Sequence, residues 1–317
     1  SGGDRNRDRR LSHSEFDFIE AKPNAIRMES KDGDTKTVIY QDESFPILGL
    51  PDVSPDGTRM LFHRTSIDAK VGSQIVLSDL RGEVITELCS GTHPSWSADG
   101  NQFVCARTVG EGLTGKQIWV MASDGRGGRS IGQGTSPSWS PNGKLIAFLH
   151  DNGIVLYDTE KEESHVLVPR EGHRYSSLGE AIAWESDSKR LAVLATRPNF
   201  IELVLVSIPR GEVVSELADP SAAKDRVKET VADVVLEPQR GFASCRGQGQ
   251  LSWGEGGIYF SIIPNVSGSV AKQASLQLWV PAASGGVKVA PLLSRDFAWK
   301  SASVEGNGMW YLAVSEH

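Results

Sequence analysis

Residues 136–150 read SPSWSPNGKLIAFLH: a short stretch ending on Trp139, a turn at Ser140-Pro141-Asn142-Gly143, and an apolar run, Leu145-Ile146-Ala147-Phe148. Pro fixes φ at the second position of such a turn, Asn or Asp bonds its own backbone, and Gly accepts the positive φ that follows. The stretch is a strand, a tight turn and a second strand. Its apolar run is nearly continuous, as expected of a strand covered on both faces.

The same pattern recurs on either side. It appears as PDVSPDGTRMLFHR from Pro51, HPSWSADGNQFVCAR from His93, AIAWESDSKRLAVLA from Ala181, QLSWGEGGIYFSII from Gln250 and DFAWKSASVEGNGMWYLAV from Asp296. Val53, Trp96, Trp139, Trp184, Trp253 and Trp299 align, with a period near that of one four-stranded propeller blade that is broken once, before Trp253. A third strand follows in most units, as in Gln117-Ile118-Trp119-Val120, and then a Gly-bearing turn into a more polar fourth strand. The expected architecture is all-β: a six-bladed β-propeller of four-stranded antiparallel blades. Blades are expected at about 49–89, 92–132, 136–169, 180–218, 250–294 and 296–317, the last completed by residues 25–41 so that no central edge stays open. Residues 1–24 are expected to be tail, since the first ten carry no apolar side chain. Residues 219–249 form an insertion in which Val227, Val231 and Val234 recur at helical spacing, and a short amphipathic helix is expected there.

The repeats PSWSADG and PSWSPNG, each followed by an apolar strand, resemble the WD-like repeats of TolB-type propellers. The resemblance extends over residues 25–317; it is strong in the second and third units and weak in the last three, where SPDG has become ESDS, GEGG and KSAS. It implies an interaction module, a gating domain of a peptidase or, occasionally, an enzyme, with an extracytoplasmic home, periplasmic or secreted.

Composition supports a repeat of short strands: 317 residues carry 33 Gly, 15 Pro and 8 Trp. A formal net charge of −7 argues against nucleic acid as partner, because phosphate binding needs concentrated Lys and Arg. No segment approaches the roughly 18 apolar residues of a membrane-spanning helix. Cys89, Cys105 and Cys245 lack CxxC spacing, which excludes a disulfide-rich framework and a cysteine zinc site. No G-x-S-x-G elbow, H-E-x-x-H, P-loop or EF-hand loop occurs. Asp56, Asp99 and Asn142 read as turn residues rather than a repeated carboxylate site, and the repeated Trp as blade packing rather than a sugar platform.

The expected function is non-catalytic: binding of a protein or peptide at the loop-rich face, by a monomer without cofactor or bound metal. His63, His93, His150 and His173 fall at strand ends that a propeller gathers on one face, with Arg64, Arg107 and Arg197 beside them. Two alternatives stay open. Four His could serve a metal-dependent lyase or hydrolase, and the chain could be the regulatory propeller of a larger peptidase or receptor. If N-terminal strands complete the last blade, deleting residues 1–41 bares an apolar edge and the protein aggregates. A truncated chain that stays monomeric in sedimentation, with an unchanged melting temperature, overturns the closure scheme.

Overall fold

The computed structural model describes residues 18–22, 25–29, 36–45, 47–49, 51–108, 115–179, 181–198, 200–208, 229–231, 234–243, 245–254, 257–264, 275–280, 288–293, 301–305 and 308–312. Every regular element among them is a β-strand. The repeats appear as successive antiparallel sheets. In the first, Ile47–Leu48 and Asp52–Val53 both pair with Arg59–Thr65, which is followed outward by Ser73–Asp79 and Ile85–Ser90. The second runs Thr92–Trp96, Gln102–Arg107, Gln117–Ala122, Arg129–Gln133, and the third Thr135–Trp139, Leu145–His150, Gly153–Asp158, Glu163–Val168. A fifth sheet, Cys245–Gly254, Gly257–Pro264, Ser275–Val280, Lys288–Leu293, repeats the order.

The turn chemistry forms as the residues dictate. Ser97 donates to Asp99 Oδ1, whose oxygen also accepts the Asn101 amide at 3.0 Å, and Gly100 has φ of 69°. Ser54/Asp56/Gly57 and Ser140/Asn142/Gly143 do the same. The weakened ESDS turn still works: Asp187 accepts the Lys189 amide at 3.0 Å, and Ser188 takes the positive φ, 60°.

The core lies between the sheets. Leu61 and Ile75 of the first pack on Phe103, Cys105 and Met121 of the second. Val104 and Ile118 of the second meet Ile146, Phe148 and Tyr157 of the third, and Ala192 and Leu203 of the fourth meet Leu251 and Ile258 of the fifth. Each such Leu, Ile or Phe contributes about 1.5–3 kcal/mol on burial, which sets the energy but not the register. Register is fixed on the innermost strands. Trp96 donates its amide to Asp52 Oδ2 at 2.6 Å and its indole Nε1 to the Asp52 carbonyl at 3.0 Å. One sheet on, the Trp139 amide donates to Ser95 Oγ at 3.2 Å; next, the Trp184 indole donates to the Ser138 carbonyl at 3.0 Å. Asp52, Ser95 and Ser138 each precede the aligned Val53, Trp96 and Trp139, so each of the first three inner strands offers an acceptor to the following sheet.

Three expectations change. Residues 229–231 and 234–243 are strands where a helix through Val231 and Val234 was expected; Val227 lies outside the described residues. Thr230, Val231, Val234 and Val235 are β-branched and favour the pleat, which outweighs the helical spacing of the valines. Val234–Ala243 pairs with Phe200–Ser207, so the fourth sheet, which begins Ile182–Trp184 and Arg190–Arg197, takes its outer strand from the presumed insertion and not from within 180–218. Pro238, which cannot donate to a ladder, sits opposite Val204 where the register shifts. Residues 245–249 already belong to the fifth sheet. At the other end, Phe18–Lys22, within the expected tail, is a strand on Ala25–Glu29, which pairs in turn with Lys36–Gln41. Phe18–Lys22 also lies against Gly308–Leu312 of the C-terminal hairpin, the place expected for Ile26–Tyr40. Trp299 lies outside the described residues.

Burial raises the Asp52 carboxyl to about 6, against an ordinary value near 4, despite its bonds from Trp96 and Ser95. The native state therefore holds this proton more tightly than the unfolded chain, so its contribution is complete below about pH 4 and is lost as pH rises through 6. Asp52→Asn keeps an acceptor for the Trp96 amide without the charge. Thermal melts should find the variant and the wild type alike at pH 4 and the variant several degrees more stable at pH 8; equal differences at both pH values would exclude this account.

Candidate functional site

Hairpins between second and third strands and connections between sheets share one face. Thr65 pairs with Ser73, Arg107 with Gln117 and His150 with Gly153 at the hairpin ends, and Thr92 and Thr135 begin the next innermost strands beside Ala106 and Leu149. His63 and His93 meet on this face. Their ring centroids are 5.0 Å apart, and the His93 amide donates to His63 Nδ1 at 3.1 Å. An Nδ1 that accepts carries no proton, so His63 is the neutral Nε2–H tautomer. The ring fits because residue 49 is Gly: a Cβ there would stand 1.9 Å from His63 Nδ1. His93 occupies the left-handed region, φ 54°, at an irregularity in the pairing of Thr92–Trp96 with Gln102–Arg107, and Ser136 does the same one sheet on, φ 50°. Both precede proline.

Lys116 closes the group, donating from Nζ to Thr92 Oγ1 at 3.1 Å. Burial, then the charges of the neighbouring His93 and Lys116, hold His63 well below its ordinary value; burial and Lys116 bring His93 down to about 4. Both imidazoles are neutral at pH 7. Lys116 is itself lowered by burial, and among the described residues it has no carboxylate within ion-pair distance. Beside it opens a cavity of about 430 Å³, whose walls include Lys116, Gln133, Thr135, His150, Asn152 and Ser177. Asn152 and Ser177 are occupied, accepting the Leu178 and Gly179 amides at 3.0 and 3.2 Å. The groups left for a ligand include an ammonium, an amide, a hydroxyl and an imidazole, suited to carbonyl or carboxylate oxygens, with the exposed Asp151 carboxylate beside His150 at the wall.

No protein-family model matches the chain, and no curated protein matches it in sequence. Solved structures do match in fold. The putative TolB of Agrobacterium tumefaciens superposes with a TM-score of 0.57 at 15% identity over 90% of this chain and 93% of its own. The fold is that of a TolB-like β-propeller. TolB from Acinetobacter baumannii gives a TM-score of 0.52 at 15% identity, over 83% of this chain and 60% of that one. A puromycin-hydrolyzing peptidase of Mycobacterium tuberculosis gives 0.53 at 18%, over 88% of this chain and 43% of the peptidase. This chain thus spans less than two thirds of the length of two of these structures.

Within the propeller the other sequence-nominated residues separate. His150 lines the cavity with its Nε2 3.8 Å from Asp151 Oδ2, and His173 accepts the Tyr175 amide at 3.3 Å through Nδ1. Among the described residues no three of His, Cys, Asp and Glu converge as metal ligands. The three arginines stand at different sheet boundaries. Arg64 donates to Gln74 at 2.9 Å and to the Tyr40 hydroxyl at 2.8 Å, lies 3.3 Å from Glu87, and stacks 3.9 Å over Phe45. Arg107 reaches Ser90 at 3.4 Å and lies 5.0 Å over Trp119. Arg197 pairs with Glu202 at 2.6 Å, and Arg174 takes the other Glu202 oxygen at 3.0 Å. Sequence reasoning missed Glu202 and Lys116. Glu202 had a signal, a lone acid in the apolar run Phe200-Ile201-Glu202-Leu203-Val204; Lys116 had none.

The two histidines make the fold acid-sensitive. Their native affinity for protons is below that of the unfolded chain, so stability present above about pH 6.5 is lost as pH falls toward 4. His93→Asn keeps the amide that bonds His63 and tolerates the positive φ. Denaturant titrations across that window should show a shallower fall for the variant, and an unchanged slope would remove His93 from the account.

Proposed function

We propose that the chain is a six-bladed propeller, its last blade closed by N-terminal strands, that works as a non-catalytic binding module for a protein or peptide. The partner sits on the face of His63, His93 and Lys116 and enters the cavity beside them. One observation carries this reading: connections of successive sheets converge there on a polar cavity at a lysine with no acidic partner among the described residues, while Arg64 and Arg197 are committed to carboxylates. Desolvated, preorganised donors in a concavity bind carbonyl and carboxylate groups well. Arg64, Arg107, Arg197, His150 and His173 then flank the partner, and the part of the expected insertion before Glu229, residues 219–228, supplies further contact.

A second reading is a regulatory propeller joined to a hydrolase, favoured by the match to 43% of the puromycin-hydrolyzing peptidase. In that reading the same face meets the partner domain.

Selection of a random displayed peptide library against the protein tests the first reading. Lys116→Met removes the ammonium and leaves the ion pairs of the sheets intact; it should weaken the selected peptides at least tenfold, on the order of 1.4 kcal/mol or more. A chain with residues 219–228 replaced by a short Gly-Ser connection should weaken them less. Unchanged affinity in both would assign binding to the opposite face or the blade edges.

A further inference from the structure

Cys89 and Cys105 stand on different sheets and meet between them. Cys89 is half-buried on the outer strand Ile85–Ser90 of the first sheet, and Cys105 is fully buried on Gln102–Arg107 of the second. Both belong to the apolar cluster of Leu61, Ile75, Phe103 and Met121. The backbones are close at this seam: a Cβ on Gly91 would lie 3.1 Å from the Ala106 carbonyl oxygen, and Arg107 reaches Ser90 Oγ at 3.4 Å. The two cysteine side chains thus share one packed cluster across the seam.

We propose that Cys89 and Cys105 are a disulfide-forming site that staples the first sheet to the second, closed by exchange with a disulfide such as oxidised glutathione or a disulfide-bearing oxidoreductase. Exposure sets the order of events. Cys89 alone can be reached from solvent. The neighbouring Cys105 thiol and the Arg107 guanidinium lower the Cys89 thiol, whereas Cys105, beside Cys89 and buried, is raised and keeps its proton. The Cys89 thiolate attacks one sulfur of the donor, a new S–S bond forms as the donor's breaks, and one donor thiolate leaves. Cys105 then loses its proton to that thiolate and, as a thiolate, attacks the Cys89 sulfur, expelling the second donor sulfur as a thiolate that takes a proton from solvent. Two protein thiols are oxidised to one disulfide and one donor disulfide is reduced to two thiols. Because Cys105 is buried against Cys89, the mixed disulfide is short-lived.

The full chain incubated with oxidised glutathione, alkylated and cleaved with chymotrypsin at Trp96, which separates the two cysteines, should yield the Cys89 and Cys105 peptides joined. The treated protein should melt a few degrees higher than the reduced one, reversibly with dithiothreitol. Cys105→Ser, which cannot resolve the adduct, should keep one glutathione on Cys89. Free thiols at both positions, a stable glutathione adduct on Cys89 of the unsubstituted chain, or pairing of either cysteine with Cys245 would overturn the proposal.

Discussion

The first four sheets depend on the acceptor that each innermost strand offers to the tryptophan of the next sheet. Apolar burial between sheets is larger in energy, but Leu, Ile and Val surfaces slide past one another at little cost, whereas a hydrogen bond between an indole and a carbonyl has one geometry. Trp96 on Asp52 and Trp184 on Ser138 fix how far each sheet is rotated against its neighbour. The apolar wedges then fill the space so defined. Where the clasp uses a carboxylate, it has an acid–base character that its serine counterparts lack.

Most of the fold was legible because turn and strand chemistry are local. Ser-Pro-Asp-Gly and its variants state their own conformation, and even ESDS kept the Asp bond and the positive φ. Residues 229–243 were misread because the helical period of three valines competed with β-branching, and what decided the matter was a partner strand, Phe200–Ser207, that periodicity cannot see. The N-terminal strand Phe18–Lys22 was missed for a related reason: the charged residues before it lent their character to a stretch whose pairing is set from elsewhere.

The site was half legible. Strand ends place His63 and His93 in ring contact, a position on the shared face that topology alone supplies. Direction was the harder part. Arg64, Arg107 and Arg197 stand at strand ends too, but a guanidinium on a flexible stem turns toward whatever acid or aromatic ring lies within reach, on the adjacent strand for Arg107 and Arg197 and on another sheet for Arg64. Strand-end geometry by itself assigns the face to arginine. Glu202 takes Arg197 together with Arg174, Arg64 lies against Glu87, and the cation at the cavity is a lysine beside two imidazoles kept neutral by burial.

The left-handed residues at His93 and Ser136 give the face an unusual freedom to change. Each sits where the inner strand slips by a residue, so its side chain is exempt from the alternation that binds the rest of the strand to one neighbour or the other. A mutation there leaves the ladder pairing unchanged, although His93 stacks on His63 and Ser136 is buried. The positive φ, however, admits few residue types, chiefly Gly, Asn, Asp and His. Divergence of this surface should proceed through a small polar alphabet at fixed, repeated positions, so that two such proteins could share every wedge of the core and still differ in what they recognise.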